Sequence, residues 1–262
     1  MNRWVQGFLA VCAAPLAGVL WIEADAASPD DKRSGVEFVS PQTRQLQEDD
    51  TSNPGMLWVL EGEQLWQEPA GYRATACADC HGAAETVMRG VATRYPQLDE
   101  QSERTVDLQG RVNLCRTRHQ EAAALAFESQ ELLALTAFIG YQSRGMPLTA
   151  SEDERLTPFI DSGRRLYSRR MGQLDLACAD CHDARWGQRL SGSLIPQAHP
   201  TGYPVYRLEW QTVGSLQRRF RNCMVGVRAE PFDYGAPEMV DLELYLRQRA
   251  AGLPIETPAV RP

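Results

Sequence analysis

The sequence predicts a mainly α fold: a tandem duplication of two small helical domains with long loops. Three observations point there. One ordered set of motifs occurs twice along the 262 residues. Apolar residues recur at helical spacing in both copies. Nowhere do β-branched and aromatic residues alternate at period two for long.

The duplication is read from four matches in the same order. Gly62-Glu63-Gln64-Leu65-Trp66 corresponds to Gly163-Arg164-Arg165-Leu166-Tyr167, and Cys77-Ala78-Asp79-Cys80-His81 to Cys178-Ala179-Asp180-Cys181-His182. Arg111-Val112-Asn113-Leu114-Cys115 corresponds to Arg219-Phe220-Arg221-Asn222-Cys223. ELLALTAFIGYQSRGMPL (131–148) lines up with EMVDLELYLRQRAAGLPI (238–255). Both of the last pair end in Gly, an apolar residue, Pro and an apolar residue, which is how a helix stops. Leu125, Leu132, Leu135 and Phe138/Ile139 recur at helical spacing in the first, and Met239, Leu242 and Leu246 in the second.

Composition bounds the function. With 34 acidic against 27 basic residues the formal net charge is −7, which argues against a nucleic-acid binder, since that needs a basic face for phosphates. At 43% apolar and 23% charged the chain is an ordinary globular protein rather than a disordered, collagenous or multispanning one.

Residues 1–26 read as a cleaved export signal: Arg3 gives the positive start, Trp4 to Ile22 is mostly apolar, and Ala24-Asp25-Ala26 offers a cleavage site. An uncleaved anchor is the competing reading, weakened by Gln6, Pro15 and two glycines. Leu9-Ala10-Val11-Cys12 is a poor match to a lipoprotein box. Export places the chain in the periplasm, an oxidising compartment. Residues 27–54 are polar and punctuated by Pro, and read as an extended arm. The two domains then span 55–150 and 151–262. Each has a thin core for its length.

Cys-x-x-Cys-His is the attachment sequence of a c-type haem. Cys77 and Cys80 would form two thioethers with one porphyrin, and His81 would ligate its iron; Cys178, Cys181 and His182 repeat the arrangement. Two such sites in duplicated domains outweigh a thioredoxin-like pair or half a zinc site. The expectation is therefore two cytochrome c-like domains, each with one covalently bound haem c that supplies its missing core.

The sixth ligand follows from the remaining cysteines. Once Cys12 has left with the signal and four cysteines are thioethers, Cys115 and Cys223 remain, at equivalent positions. A thiolate is an axial haem ligand and lowers the reduction potential. His/Cys ligation of both irons is the preferred reading. A Cys115–Cys223 disulfide, inert buried thiols, and Met146 as a methionine ligand are the alternatives, although the counterpart of Met146 is Leu253, which cannot ligate. His119 and His199 are expected in surface or loop roles.

Four arginines, Arg218, Arg219, Arg221 and Arg228, lie within eleven residues around Cys223. Guanidinium groups favour thiolate over thiol and offer forked donors to a sulfur oxyanion. A basic face for docking an acidic partner is the other reading of Arg218 and Arg221. Arg111, Arg116 and Arg118 surround Cys115 as well, so charge alone does not choose which haem is catalytic.

On these residues the chain resembles SoxA, the dihaem subunit family of the Sox sulfur-oxidation system, most specifically over Arg219–Glu238, RFRNCMVGVRAEPFDYGAPE. The resemblance implies that Cys223 is the distal ligand of the second haem and the catalytic sulfur, found as a persulfide, and that Arg219 lies at the substrate. It implies that Cys115 is the distal ligand of the first haem. It further implies an L-cysteine S-thiosulfotransferase that joins thiosulfate to a cysteine of the carrier SoxYZ. Two electrons would pass through haem and a SoxX monohaem partner to a small cytochrome c. Cys223 cannot be a strong iron ligand and a free nucleophile at once, so ligand release or a persulfide must intervene. The first haem, of very low potential, is expected to be structural. A thiosulfate dehydrogenase making tetrathionate and a plain dihaem electron carrier are the other function classes.

Overall fold

The computed structural model describes Met1 and residues 31–262; the export-signal reading falls outside the described residues. Residues Lys32–Pro262 form one compact unit. Its helices are α1 (Pro41–Glu48), α2 (Met56–Gln67), α3 (Cys77–His81), α4 (Ala84–Val87), α5 (Leu108–Cys115) and α6 (Gln130–Tyr141) in the first half. The second half contributes α7 (Thr157–Ser168), α8 (Cys178–His182), α9 (Leu216–Gly226) and α10 (Pro237–Arg249). Among the described residues no helix is long and apolar enough to cross a membrane.

The mainly α expectation holds, with seven short strands at loop ends among the described residues. β1 (Gln97–Asp99) pairs antiparallel with β2 (Arg104–Val106), and β3 (Arg189–Leu190) with β4 (Ser193–Leu194). β5 (Val205–Arg207) lies between antiparallel β6 (Thr212–Gly214) and parallel β7 (Ala259–Arg261).

The repeat reappears as geometry. α2 packs on α6, and α7 on α10. α6 is buried continuously from Leu132 to Gly140, the pattern of a helix with no solvent face. Gly62 and Gly163 are where the partners cross: a Cβ on Gly62 would run into the carbonyl of Ala134, and one on Gly163 into that of Asp241. The spacing of these glycines ahead of each Cys-x-x-Cys-His is thus a packing requirement.

The aromatic four residues after each glycine has an equally matched task. Trp66 Nε1 donates to the carbonyl of Gly82 at 3.0 Å, and the Tyr167 hydroxyl donates to Asp183 Oδ1 at 2.7 Å. Gly82 and Asp183 directly follow His81 and His182, so each aromatic fastens the turn that carries its histidine. Ser215 and Asp107 cap α9 and α5 at equivalent positions, accepting from Arg218 N and Gly110 N.

The Gly-x-Pro segments that end the helical patterns pair with each other. Leu148 N donates to Leu253 O and Ile255 N to Met146 O, around a Pro147–Pro254 bridge. Equivalent segments meet reciprocally, as across a two-fold interface. The first-half core also takes in Ala250 and Ile255 from the far end of the chain.

The arm is not extended. Over its described part, Gly35–Phe38 forms a 3₁₀ turn and Pro41–Glu48 the helix α1. The physical reason lies in Ser40-Pro41: the serine side chain accepts from Thr43 N, and Pro at the first position is preorganised for a helix. The arm also clasps the C-terminus, since Asn53 Nδ2 donates to Pro258 O at 2.9 Å and Val260 N donates to Gln47 Oε1 at 3.1 Å.

Candidate haem and sulfur site

Each Cys-x-x-Cys-His is a single helical turn. The aspartate inside it reaches back to close the turn's start: Asp79 Oδ2 accepts from Ala76 N at 2.7 Å, and Asp180 Oδ2 from Ala177 N at 2.9 Å. The two cysteines of a turn therefore sit three residues apart on one face, as two thioethers to one porphyrin require. All six described cysteines are free, with no pair joined.

His182 donates its Nδ1 proton to the carbonyl oxygen of Pro196 at 2.6 Å, which leaves the Nε2 lone pair free for a metal. His81 is more exposed and packs against Trp66, ring centroids 5.7 Å apart.

The remaining two cysteines lie each by its own turn. Cys115, at the C-terminal end of α5, acts electrostatically on Cys77 and is itself acted on by Cys80. Cys223 on α9 acts on Cys178, whose thiol burial pushes up to about 12, and it lies in hydrogen-bond reach of His182. His182 and Cys223 pair an imidazole with a thiol, a donor set suited to haem iron; at the first turn Cys115 lies by Cys77 and Cys80, and the residue types there fit the same group.

The two free thiols differ in their electrostatics. Burial pushes Cys115 up, and Arg111 and Arg118 offset this only in part. Burial also pushes the Cys223 thiol up, but the neighbouring His182 and the charges of Arg219 and Arg207 outweigh it, so the thiol lies below its ordinary value.

Of the arginines around Cys223, Arg218 lies over the Trp210 ring at 4.3 Å with Glu128 3.9 Å away, and Arg221 donates to the Phe232 carbonyl and lies over Tyr234. The Arg219 guanidinium makes no hydrogen bond or ion pair among the described residues, and its charge acts on Cys223. Arg207 and Tyr203, which the sequence reading passed over, belong to the same group: Tyr203 feels Arg219, Arg207 and Cys223.

The other candidates lie elsewhere. The Met146 thioether packs toward Gly90, and its carbonyl accepts from Ile255. His119 is exposed in a π-helical turn (Arg116–Gln120) that continues α5, and His199 Nδ1 donates to Arg33 O at 2.8 Å.

Comparison with known proteins agrees with the duplicated architecture. The family model described as SoxA/TsdA, cytochrome c domain, matches twice, at residues 61–148 and 162–255. L-cysteine S-thiosulfotransferase subunit SoxA of Rhodovulum sulfidophilum is 37% identical over 88% of this chain and 81% of its own length. The subunit of the same name from Pseudaminobacter salicylatoxidans is 35% identical over 88% and 82%. A chain in the crystal structure of SoxXA from P. pantotrophus superposes with a TM-score of 0.85 at 32% identity, covering 88% of this chain and 87% of that one. With its two cytochrome c domains, the chain belongs to the SoxA family.

Proposed function

We propose that the chain is the dihaem subunit of an L-cysteine S-thiosulfotransferase, as its relatives are named. In balanced form, a carrier cysteine thiol and thiosulfate give the cysteine S-thiosulfonate, one proton and two electrons. The sulfur–sulfur bond is the bond formed, the thiol S–H is the bond broken, and two ferric cytochrome c molecules take one electron each.

The observation that carries this reading is the setting of Cys223: a partly buried thiol beside His182, with its acidity raised, near an Arg219 guanidinium that makes no hydrogen bond or ion pair among the described residues. Cys223 is the reacting sulfur, as nucleophile or persulfide, since the thiolate is the form that attacks sulfur and its surroundings favour that form. Arg219 presents forked donors to the sulfonate end of thiosulfate. When bound, haem supplies a one-electron acceptor next to this sulfur. Cys178, Cys181, His182 and Cys223 would hold the second haem, and Cys77, Cys80, His81 and Cys115 the first, whose role is structural.

The likeness to SoxXA supports a SoxX-type monohaem partner. SoxYZ is the proposed carrier, a small cytochrome c the final acceptor, and the periplasm the compartment, reached by cleavage after residue 26.

The test is to mix the haem-loaded complex, ferric cytochrome c, thiosulfate and carrier, and to weigh the carrier. A thiosulfonate on its cysteine, lost with Cys223→Ala and kept with Cys115→Ala, is the expected result. Equal cytochrome c reduction with tetrathionate as product, with or without carrier, would assign the chain to thiosulfate dehydrogenation instead.

A further inference from the structure

The two hairpins that precede α5 and α9 are copies of one another. Thr93-Arg94-Tyr95-Pro96 corresponds to Thr201-Gly202-Tyr203-Pro204, and both tyrosine–proline bonds are cis. The strand registers coincide as well: Gln97↔Val106 and Asp99↔Arg104 in the first, Val205↔Gly214 and Arg207↔Thr212 in the second. Tyr95, Arg111 and Cys115 therefore stand where Tyr203, Arg219 and Cys223 stand in the other half. In this frame the counterpart of Asp99 is Arg207. A carboxylate in one copy is a guanidinium in the other.

The exchange changes which donors are free. Asp99 is 2% exposed. It accepts from Arg118 Nη1 and Nη2 at 2.7 and 2.8 Å and pairs with Arg111 Nη1 at 3.2 Å. Hydrogen bonds from Arg118 hold its carboxyl well below the usual range, so it is anionic at neutral pH and pairs with both guanidinium groups, while the buried Nε of Arg111 keeps no hydrogen-bond partner among the described residues. At the second site Arg219 has no such partner among the described residues. Arg207 lies over the Trp210 ring at 5.2 Å, has a side chain only 13% exposed, and keeps a buried Nε with no hydrogen-bond partner. Among the described residues its one carboxylate partner is Glu209 at 3.2 Å, 61% exposed at the rim, an ion pair of the kind that contributes little. The charges of Arg207 and Arg219 act on each other and on Cys223.

We infer that Arg207 is a second anion-binding residue of the Cys223 site, seating the sulfonate of thiosulfate together with Arg219, and that Asp99 closes the equivalent Cys115 site to anions. This rests on the thiosulfotransferase reading above. It explains why one of two duplicated sites is catalytic although both carry a cysteine and an arginine four residues earlier. Glu209 is the group an entering anion displaces from Arg207.

The test compares steady-state kinetics of the haem-loaded complex with Arg207→Gln and Glu209→Gln, using inorganic sulfate as a competitive, unreactive oxyanion. Arg207→Gln raises the KM for thiosulfate and the Ki of sulfate together, each about tenfold or more, with kcat changed far less and haem content intact. Glu209→Gln lowers both constants, which keeps the inference falsifiable if Arg207→Gln fails to assemble. Unchanged KM and sulfate Ki in Arg207→Gln, or an unchanged or raised KM in Glu209→Gln, overturn the inference while leaving the thiosulfotransferase reading in place. A wild-type complex that turns over no thiosulfate overturns that reading, and the inference with it.

Discussion

His182 Nδ1 lies 2.6 Å from the carbonyl oxygen of Pro196. A carbonyl can only accept, so the imidazole proton sits on Nδ1 and the Nε2 lone pair is left for a metal. Among the described residues His81 makes no equivalent hydrogen bond and relies on Trp66 beside it. The second of the two duplicated turns is thus the one whose histidine is oriented by the protein before any haem is attached.

Haem content should divide by turn. Cys178→Ser with Cys181→Ser removes one haem and leaves the other on Cys77 and Cys80, and the converse pair of substitutions does the opposite. Intact mass of each variant, set against a wild-type chain carrying two haems, checks this.

The helix crossings tolerate no side chain at their glycines. Gly62→Ala and Gly163→Ala drive a Cβ into the facing carbonyls of Ala134 and Asp241, and each should cost about 1–3 kcal/mol in denaturant unfolding of the holoprotein. Gly226→Ala, whose Cβ meets nothing within 4 Å, should be neutral or slightly stabilising.

The clasp between arm and C-terminus rests on Asn53. Its Nδ2 donates to Gln47 O at 3.2 Å and Pro258 O at 2.9 Å, and its Oδ1 accepts from Gly55 N at 2.9 Å. Asn53→Ala leaves these buried groups unpaired and should cost about 1–3 kcal/mol, read as a lowered thermal midpoint.

A pH dependence follows from Glu243, buried on α10. Burial pushes its carboxyl well above the ordinary value, with Arg247 opposing and Asp107 adding to the rise. Because the folded state holds this proton more tightly than the unfolded chain, its contribution is full below the ordinary carboxylate range and is lost as pH rises through the elevated folded value. Wild-type stability should therefore fall between about pH 4.5 and neutrality by more than that of Glu243→Gln. Equal slopes in paired denaturation series at several pH values would contradict this.

Part of the site was legible in the chain because covalent attachment demands fixed spacing: the two Cys-x-x-Cys-His turns and the cysteines Cys115 and Cys223 could be named from order alone, whereas Arg219 was singled out among four arginines only by the family resemblance. The aromatic eleven residues ahead of each turn was visible as a repeat, but its task of fastening Gly82 or Asp183 needed three dimensions. Arg207 was hidden for a different reason. Its counterpart Asp99 carries the opposite charge, so the two positions look unrelated until the hairpin registers are compared; the shared Thr-x-Tyr-Pro was the signal that could have found it. The helix in the arm was missed because polar composition spoke for a loop, whereas Ser40-Pro41 at its start spoke for a cap. The pairing of the arm with the C-terminus involves partners some two hundred residues apart, which no local pattern reports.

The central claim is that sulfur chemistry occurs at Cys223 and not at its duplicate. Peptide mass mapping of the haem-loaded protein, as isolated and after thiosulfate, tests it most directly. A persulfide or thiosulfonate on Cys223, with Cys115 unmodified, is the predicted result. A disulfide joining Cys115 to Cys223, or sulfur carried on Cys115 instead, would contradict it.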